Sequence, residues 1–172
     1  MKRSLLKLLF AVVTLGVLVS CSKVEGDAYM GFTYIFKNNS THTIHVKDLN
    51  NETISFEMSG YDNANGIMLQ PGEERVAYST ITSVLSPITD SVIENAKNDY
   101  WKYLADTAVV IFDDSYLVEH DRHDNEGEHE ITDSENYTLE RHERPGWNCT
   151  YTFTDADYEY AVEHGQRVTD TE

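Results

Sequence analysis

Aromatic and β-branched residues that alternate with polar ones recur in short runs through most of the chain. Within residues 32–36 the aromatic side chains stand two positions apart, and Ile54, Phe56 and Met58 alternate with polar neighbours. A period of two places apolar side chains on one face of a β-strand and polar ones on the other. The continuous apolar run 108–112 instead predicts a central strand that is buried on both faces. The chain is therefore predicted to be built mainly from strands.

The first two predicted strands lie close together in the sequence. Residues 32–36 and 43–47 are separated by the polar stretch 37–40, so we expect them to form a hairpin. In the second of these strands, Ile44 should face the core and His45 the opposite side. Further short strands are expected at 67–70, 75–78, 116–118, 137–139 and 151–153.

Two segments have the period of a helix instead. Apolar residues recur every three to four positions over about 90–104, where Ser91 and Glu94 fit a capping box. A second, capped helix of two to three turns is expected within 154–165. Short strands with at most two helices predict a mainly β fold. We expect an antiparallel β-sandwich or a strongly twisted sheet, with one or two helices packed on it.

The start of the chain has the layout of a secretory signal. Basic residues are followed by an apolar run that ends at Val19 and is shorter than the roughly 20 residues needed to cross a bilayer core. This run closes on Leu18-Val19-Ser20-Cys21, which resembles the lipobox of bacterial lipoproteins. In that family the signal is cut before the cysteine. The cysteine sulfur then receives a diacylglycerol, and the new amino terminus is acylated.

The resemblance implies three parts and one membrane attachment. Residues 1–20 are the expected signal peptide, 21–28 the lipidated cysteine with a short tether, and 29–172 a single globular domain. Cys21 is the expected lipidation site and the contact with the membrane, since several acyl chains hold a protein firmly. Ser22 replaces the aspartate that favours inner-membrane retention in the family, so the resemblance implies the outer membrane. It leaves the periplasmic and the surface-exposed side open.

The overall plan resembles small lipoproteins of Bacteroidetes-type bacteria. Besides the lipobox, the likeness covers an early aromatic strand followed by Lys37-Asn38-Asn39-Ser40, a Pro71-Gly72-Glu73 turn, and Tyr151-Thr152-Phe153-Thr154 near the end. The segments around Ser91 and Thr107 also look like the short O-glycosylation sites of that group. The alternative for Ser91 is a helix cap.

The charge of the chain excludes one class of partner. The chain has 13 Lys and Arg against 30 Asp and Glu, a formal net charge of -17. Loss of Lys2, Arg3 and Lys7 with the signal leaves 10 basic residues against 30 acidic ones, or -20. Such a charge opposes binding to nucleic acid and favours solubility.

The cysteines and histidines offer few candidates for disulfide bonds or metal sites. Once Cys21 carries lipid, Cys149 has no partner for a disulfide, and its place before 150–153 predicts an inward, buried position. The segment His120–Glu130 contains three histidines among acidic residues, which are ligands for zinc, copper or calcium. Its spacing matches no metal motif, so we interpret it as a solvated, charged loop and predict no metal site.

No catalytic motif stands out. There is no Gly-x-Ser-x-Gly elbow and no glycine-rich phosphate loop, and His142-Glu143 lacks the second histidine of a zincin. We therefore predict a protein that is not an enzyme and needs no cofactor. Its 11 tyrosines favour a binding module for glycans. The alternatives are an acidic envelope protein that binds or inhibits a basic protein in the manner of an immunity protein, and a structural component of the cell surface.

Overall fold

The computed structural model describes residues 28–50, 66–84, 88–98, 104–123, 127–142 and 145–170. Within these ranges nine strands and two α-helices are formed. In chain order they are β1 (Ala28–Asn38), β2 (Ile44–Asn50), β3 (Ile67–Leu69), β4 (Glu74–Val84), α1 (Asp90–Ala96), β5 (Thr107–Phe112), β6 (Tyr116–Asp121), β7 (Tyr137–Arg141), β8 (Gly146–Phe153), α2 (Asp155–His164) and β9 (Gln166–Arg167).

The strands form two sheets that pack face to face. The first sheet has the order β4-β1-β8-β7 and the second β3-β2-β5-β6-β9. All neighbours run antiparallel except β1 and β8, which are parallel. The ring of Phe112 in β5 meets that of Phe153 in β8 edge-on, with 6.3 Å between the ring centroids. The predicted mainly β fold is confirmed, and of the two architectures expected it is the sandwich.

The core lies between the sheets and is rich in aromatic side chains. Tyr34 of β1 stacks on Tyr78 of β4 with 4.4 Å between the ring centroids, and both rings are buried. The even-numbered positions of β1 from Met30 to Asn38 point inward and are buried, as an alternating strand requires. From the first sheet the core takes Met30, Phe32, Tyr34, Phe36, Tyr78, Trp147, Cys149, Tyr151 and Phe153; from the second it takes Ile44, Val46, Leu69, Ala108, Val110 and Phe112.

The predicted hairpin between 32–36 and 43–47 is wrong, because the two strands belong to different sheets. β1 pairs with β4 and β8, whereas β2 pairs with β3 and β5. The buried side chain of Asn38 holds the crossing: its Nδ2 donates to the carbonyl oxygens of His42 at 2.8 Å and Leu69 at 3.2 Å. The polar stretch is thus a corner between sheets, in which an amide side chain satisfies backbone groups that a hairpin would pair.

β5 occupies the centre of the second sheet, as its apolar sequence predicts. Ala108, Val110 and Phe112 point into the core and are buried. On the outer face Ile111 is also buried, but Val109 is half-buried. The prediction that β5 is buried on both faces is therefore only partly confirmed. Within the described residues, its outer face is fully covered only near its C-terminal end, at Ile111. In the neighbouring β2, Ile44 is buried and His45 half-buried, which confirms their assignment to opposite faces.

Both helices begin where the sequence predicts them, but α1 is shorter than the predicted 90–104 and one cap differs. Residues 97–98 form a 3₁₀ turn, 99–103 lie outside the described residues, and Leu104 is not helical. α1 starts at Asp90 and ends at Ala96, and its N-cap is Thr89, whose Oγ1 accepts a hydrogen bond from the backbone N–H of Val92. The predicted capping box of Ser91 and Glu94 is therefore wrong, because a hydroxyl residue two positions earlier takes the role. The indole Nε1 of Trp147 donates to the carbonyl oxygen of Ile93 at 3.0 Å and fixes α1 to the first sheet.

The second helix has the predicted cap. The side chain of Thr154 accepts from the backbone of Asp157, and the Asp157 carboxylate accepts in turn from the N–H of Thr154 at 2.6 Å. This is a reciprocal capping box. α2 then runs for ten residues, and Gly165 follows it.

Several expectations concern residues outside the described ranges. They are the signal and Cys21, most of the tether, the strand at 54–58 and part of the segment 120–130. In the part of the chain that the structure covers, no helix is both long and apolar enough to span a membrane.

Candidate functional site

A groove of about 450 Å³ lies on the outer face of the first sheet, around the paired glycines Gly31 and Gly146. We call it the glycine groove and define it by Tyr29, Gly31, Thr33, Ser79, Ile81 and Gly146. Odd-numbered positions of β1 face outward, opposite to the aromatic core positions. Because Gly31 has no side chain and pairs with Gly146 on one side and Ile81 on the other, the sheet surface is low at this point.

The two glycines let β1 and β8 approach closely. A Cβ atom on Gly146 would overlap the carbonyl oxygen of Gly31, and Gly146 has a φ of +153°, which side chains disfavour. At Gly31, by contrast, a Cβ atom would meet only the carbonyl oxygen of Thr80, at an ordinary 3.5 Å. Gly146 is therefore required by the fold, whereas Gly31 keeps the groove open.

The walls of the groove combine apolar surface with hydroxyl groups. The side chains of Tyr29 and Ile81 are 60% and 65% exposed, unusually high for large apolar residues in strands. Between them, Ser79 Oγ and Thr33 Oγ1 lie 3.4 Å apart across the β1–β4 pair. His142, at the end of β7, closes one side. No Asp, Glu, Lys or Arg is among the described residues that line the groove.

Sequence reasoning did not locate this groove, although a signal for it exists. Tyr29 has the opposite parity to the aromatic residues at 32, 34 and 36, so an alternating strand places it on the other face. An aromatic residue on the polar face of a strand is a candidate contact residue. Which strand supplies the opposite wall depends on sheet order, and the local sequence does not contain that information.

The interpretation of 120–130 as a solvated loop is wrong at both ends of the segment. His120 belongs to β6 and points into the core, and the side chains of His120 and Glu130 are each only 4% exposed. Nδ1 of His120 lies 2.7 Å from Oε2 of Glu130. A charged group so buried is costly unless it is paired, and this contact provides the partner. His123 and Glu128 are exposed, as expected for a loop.

A second histidine–carboxylate pair lies beside the first. Asp157 of α2 is buried and binds Nδ1 of His129 and the hydroxyl of Tyr151, each at 3.0 Å from its Oδ1. Burial raises the pKa of Tyr151 far above its usual range, and the carboxylates of Asp157 and Glu130 raise it further. The two sheets and α2 thus enclose a polar centre, in which a neutral tyrosine hydroxyl donates to Asp157. In the described ranges, no group of three His, Cys, Asp or Glu side chains has the arrangement of metal ligands.

The free thiol Cys149 lies where the sequence predicts it. It points into the core from β8 and is fully buried. Burial raises the pKa of the thiol to about 12, so its reactive thiolate form is scarce at neutral pH. This position is structural.

A third histidine–carboxylate pair lies near the surface. Nδ1 of His42 is 2.6 Å from Oδ2 of Asp113, and the His42 ring stacks on Tyr158 with 3.5 Å between the centroids. Burial alone would raise the pKa of Asp113, but hydrogen bonds from His42 and Thr43 lower it below its usual value. The contacts join the start of β2, the β5–β6 turn and α2.

The two sites of the O-glycosylation resemblance differ in access. Ser91 is exposed on the first turn of α1, whereas Thr107 is half-buried at the start of β5. Comparison of the chain with protein-family models, with curated proteins and with solved structures found no match.

Proposed function

We propose that this protein is a lipoprotein of the outer membrane that is anchored through Cys21 and binds glycans in the glycine groove. The observation that carries the proposal is the pairing of an exposed tyrosine with a row of hydroxyl groups on a neutral, concave surface. Ligand sites are typically concave and mostly apolar, with a few polar groups that fix orientation. The groove meets this description within the residues that the structure describes.

The chemistry of a sugar ring matches the groove. A pyranose has an apolar C–H face, which packs on the flat ring of a tyrosine, and hydroxyl groups at its edge. Tyr29 offers the ring, and Thr33 and Ser79 offer hydroxyls that both donate and accept. The neutral lining favours uncharged sugars over phosphorylated ones.

The proposed anchor limits where the ligand is found. Tyr29 is eight positions after Cys21, so even a fully extended chain holds the groove within about 28 Å of the lipidated residue. A groove so placed reaches glycans that are attached to, or lie against, the same membrane.

Removal of the tyrosine ring is expected to weaken glycan binding about tenfold, because stacking contributes on the order of 1 kcal/mol. The measurement is the affinity of purified Tyr29→Ala for the immobilised glycans that the unmodified protein retains. Ile81→Ala should weaken binding to a smaller degree. Val162→Ala is the matched control, since Val162 is 44% exposed but lies on α2. Equal affinity of Tyr29→Ala and the unmodified protein would contradict the proposal.

The net charge favours a second candidate, an acidic protein that binds a basic partner. A charge of -20 on the mature chain would steer such a partner over long distances. The dependence of binding on salt concentration distinguishes the two candidate functions. Salt screens the attraction between charged surfaces but has little effect on stacking in a neutral groove. Retention on glycans that survives about 0.5 M salt supports the first candidate. Salt-sensitive capture of a basic envelope protein, unaffected by Tyr29→Ala, supports the second.

Lipidation is tested separately. Cys21→Ala is expected to abolish incorporation of a fatty-acid analogue and to move the protein from the detergent phase to the aqueous phase, because no acyl chain remains. Ser22→Ala is the control and should stay in the detergent phase. Unchanged fatty-acid labelling of Cys21→Ala would show that the anchor is elsewhere.

A further inference from the structure

A second cavity, of about 220 Å³, lies between β6 and the end of α2. We call it the Glu130 pocket; it is lined by Glu119, Glu130, Tyr160, His164, Gly165 and Gln166. β9 pairs with only the first residues of β6, at Tyr116 and Leu117. The pocket opens where β9 begins, between the remaining edge of β6 and the last turn of α2.

Glu130 lines this pocket although the residue is only 3% exposed. Its Oε2 is held by Nδ1 of His120, and the described residues supply no second hydrogen bond to the group. A buried carboxylate usually accepts several hydrogen bonds, because burial removes its hydration. Glu130 therefore has free accepting capacity for a ligand in the pocket that it lines.

Other features of the pocket attract positive charge as well. Glu119 is exposed at its rim. The last turn of α2 ends here at His164 and Gly165, and the carbonyl end of a helix carries a partial negative charge. The ring of Tyr160 stands beside the pocket, stacked between His129 and His164 with centroid distances of 4.8 and 4.5 Å. None of the described lining residues is Lys or Arg.

We propose that the Glu130 pocket binds a small organic cation with a primary ammonium group. The ammonium donates to Glu130, and the alkyl part lies against Leu117 and Val118, which also line the pocket. A volume of about 220 Å³ limits the ligand to a few carbon atoms, below the usual size of drug-like ligands. The acidic surface of the protein raises the local concentration of such cations.

A metal ion fits the pocket less well. Metal sites bring together three or more oxygen, nitrogen or sulfur ligands at short distances. The described histidine and carboxylate side chains form no such group. The pocket instead offers one buried carboxylate, which a single ammonium group can contact by a charge-assisted hydrogen bond.

The test compares n-butylammonium with 1-butanol, its neutral analogue of equal size, on the full lipidated protein in detergent. We expect saturable changes in the amide NMR signals of Gly165 and Gln166 with the ammonium ion and none with the alcohol. Equal changes with both would overturn the proposal, because recognition would not depend on charge. Saturation by calcium or zinc instead of the ammonium ion would also overturn it.

Variants locate the binding within the pocket. Glu130→Gln should weaken binding at least tenfold, since it removes the buried charge. Because this change also affects the pair with His120, two surface variants keep the test independent of folding. Glu119→Gln should weaken binding about threefold, and His164→Lys should abolish it by placing an ammonium group of its own in the pocket.

The matched control is Glu163→Gln, an exposed carboxylate on the same helix that does not line the pocket. It should change the affinity less than about twofold, because solvent and salt screen surface charges. If Glu163→Gln and Glu119→Gln weaken binding equally, the ammonium ion is held by the general negative field of the protein, and the proposed site is wrong.

Discussion

Gly146→Ala is expected to lower the free energy of unfolding by about 4 kcal/mol, from backbone strain and overpacking together. The added methyl group would overlap the carbonyl oxygen of Gly31 at the start of the parallel β1–β8 pair, and the φ of +153° disfavours any side chain. Relief requires the two strands to separate where the first sheet is held together at its centre. Urea unfolding followed by circular dichroism measures the change.

Substitutions at two other glycines distinguish the cost of backbone strain from the cost of overpacking. Gly72 has a φ of +79° in a turn, and a Cβ atom there would meet nothing within 4 Å, so Gly72→Ala should cost only about 1 kcal/mol of backbone strain. Gly31→Ala should cost less than about 1 kcal/mol but obstruct the glycine groove. A Gly146→Ala protein as stable as the unmodified one would contradict the close approach of β1 and β8.

His120→Ala is expected to destabilise the protein by about 3 to 5 kcal/mol, because it leaves the buried carboxylate of Glu130 without its only partner among the described residues. Glu130→Ala should have an effect of similar size. His129→Ala is the control: the His129 side chain is 27% exposed, and Asp157 keeps its contact with Tyr151, so a loss of about 1 kcal/mol is expected.

A double variant tests whether His120 and Glu130 act as a pair. Replacing both by leucine removes the two polar groups together, and apolar replacement of a buried ion pair is often neutral or stabilising. The double variant should therefore be more stable than either single leucine variant, with a coupling energy of about 2 kcal/mol or more. Purely additive losses in a urea unfolding cycle would show that the two side chains do not depend on each other.

Local pattern predicts much of the fold because strands and helices bury one face each. The alternation at 32–36 predicts β1, and the apolar run at 108–112 predicts the centre of the second sheet. The capping box of α2 is visible because Thr154 and Asp157 are three positions apart. In each case the physical cause operates within a few residues, so a single sequence contains it.

The pairing of segments that are distant in the sequence is harder to predict from local patterns. The sequence places β1 and β2 next to each other, but the buried Asn38 sends them into different sheets. An asparagine in a polar stretch predicts a turn in either case. The same limit applies to His120 and Glu130, whose burial depends on β6 pointing this histidine inward and on the loop returning over it.

Both proposed sites depend on such distant contacts. The glycine groove needs Gly31 and Gly146 side by side, and the Glu130 pocket needs the end of α2 beside β6. Composition led to the hypotheses of aromatic binding and of a role for negative charge, and the two cavities are the surfaces that we propose for them. The outward position of Tyr29 can be predicted from its place in the alternating pattern of β1. No local pattern identifies the neighbours of Glu130.

The position of β1 has a consequence for how the chain folds as it emerges from a ribosome or a membrane channel. β1 comes early in the chain, yet its parallel partner β8 comes late, with Gly31 opposite Gly146. Until β8 emerges, one edge of this aromatic strand stays unpaired, and exposed apolar strand edges invite aggregation. Contacts between such distant segments also slow folding. We therefore expect the emerging chain to need a holding chaperone, and a chain shortened before Gly146 to be degraded.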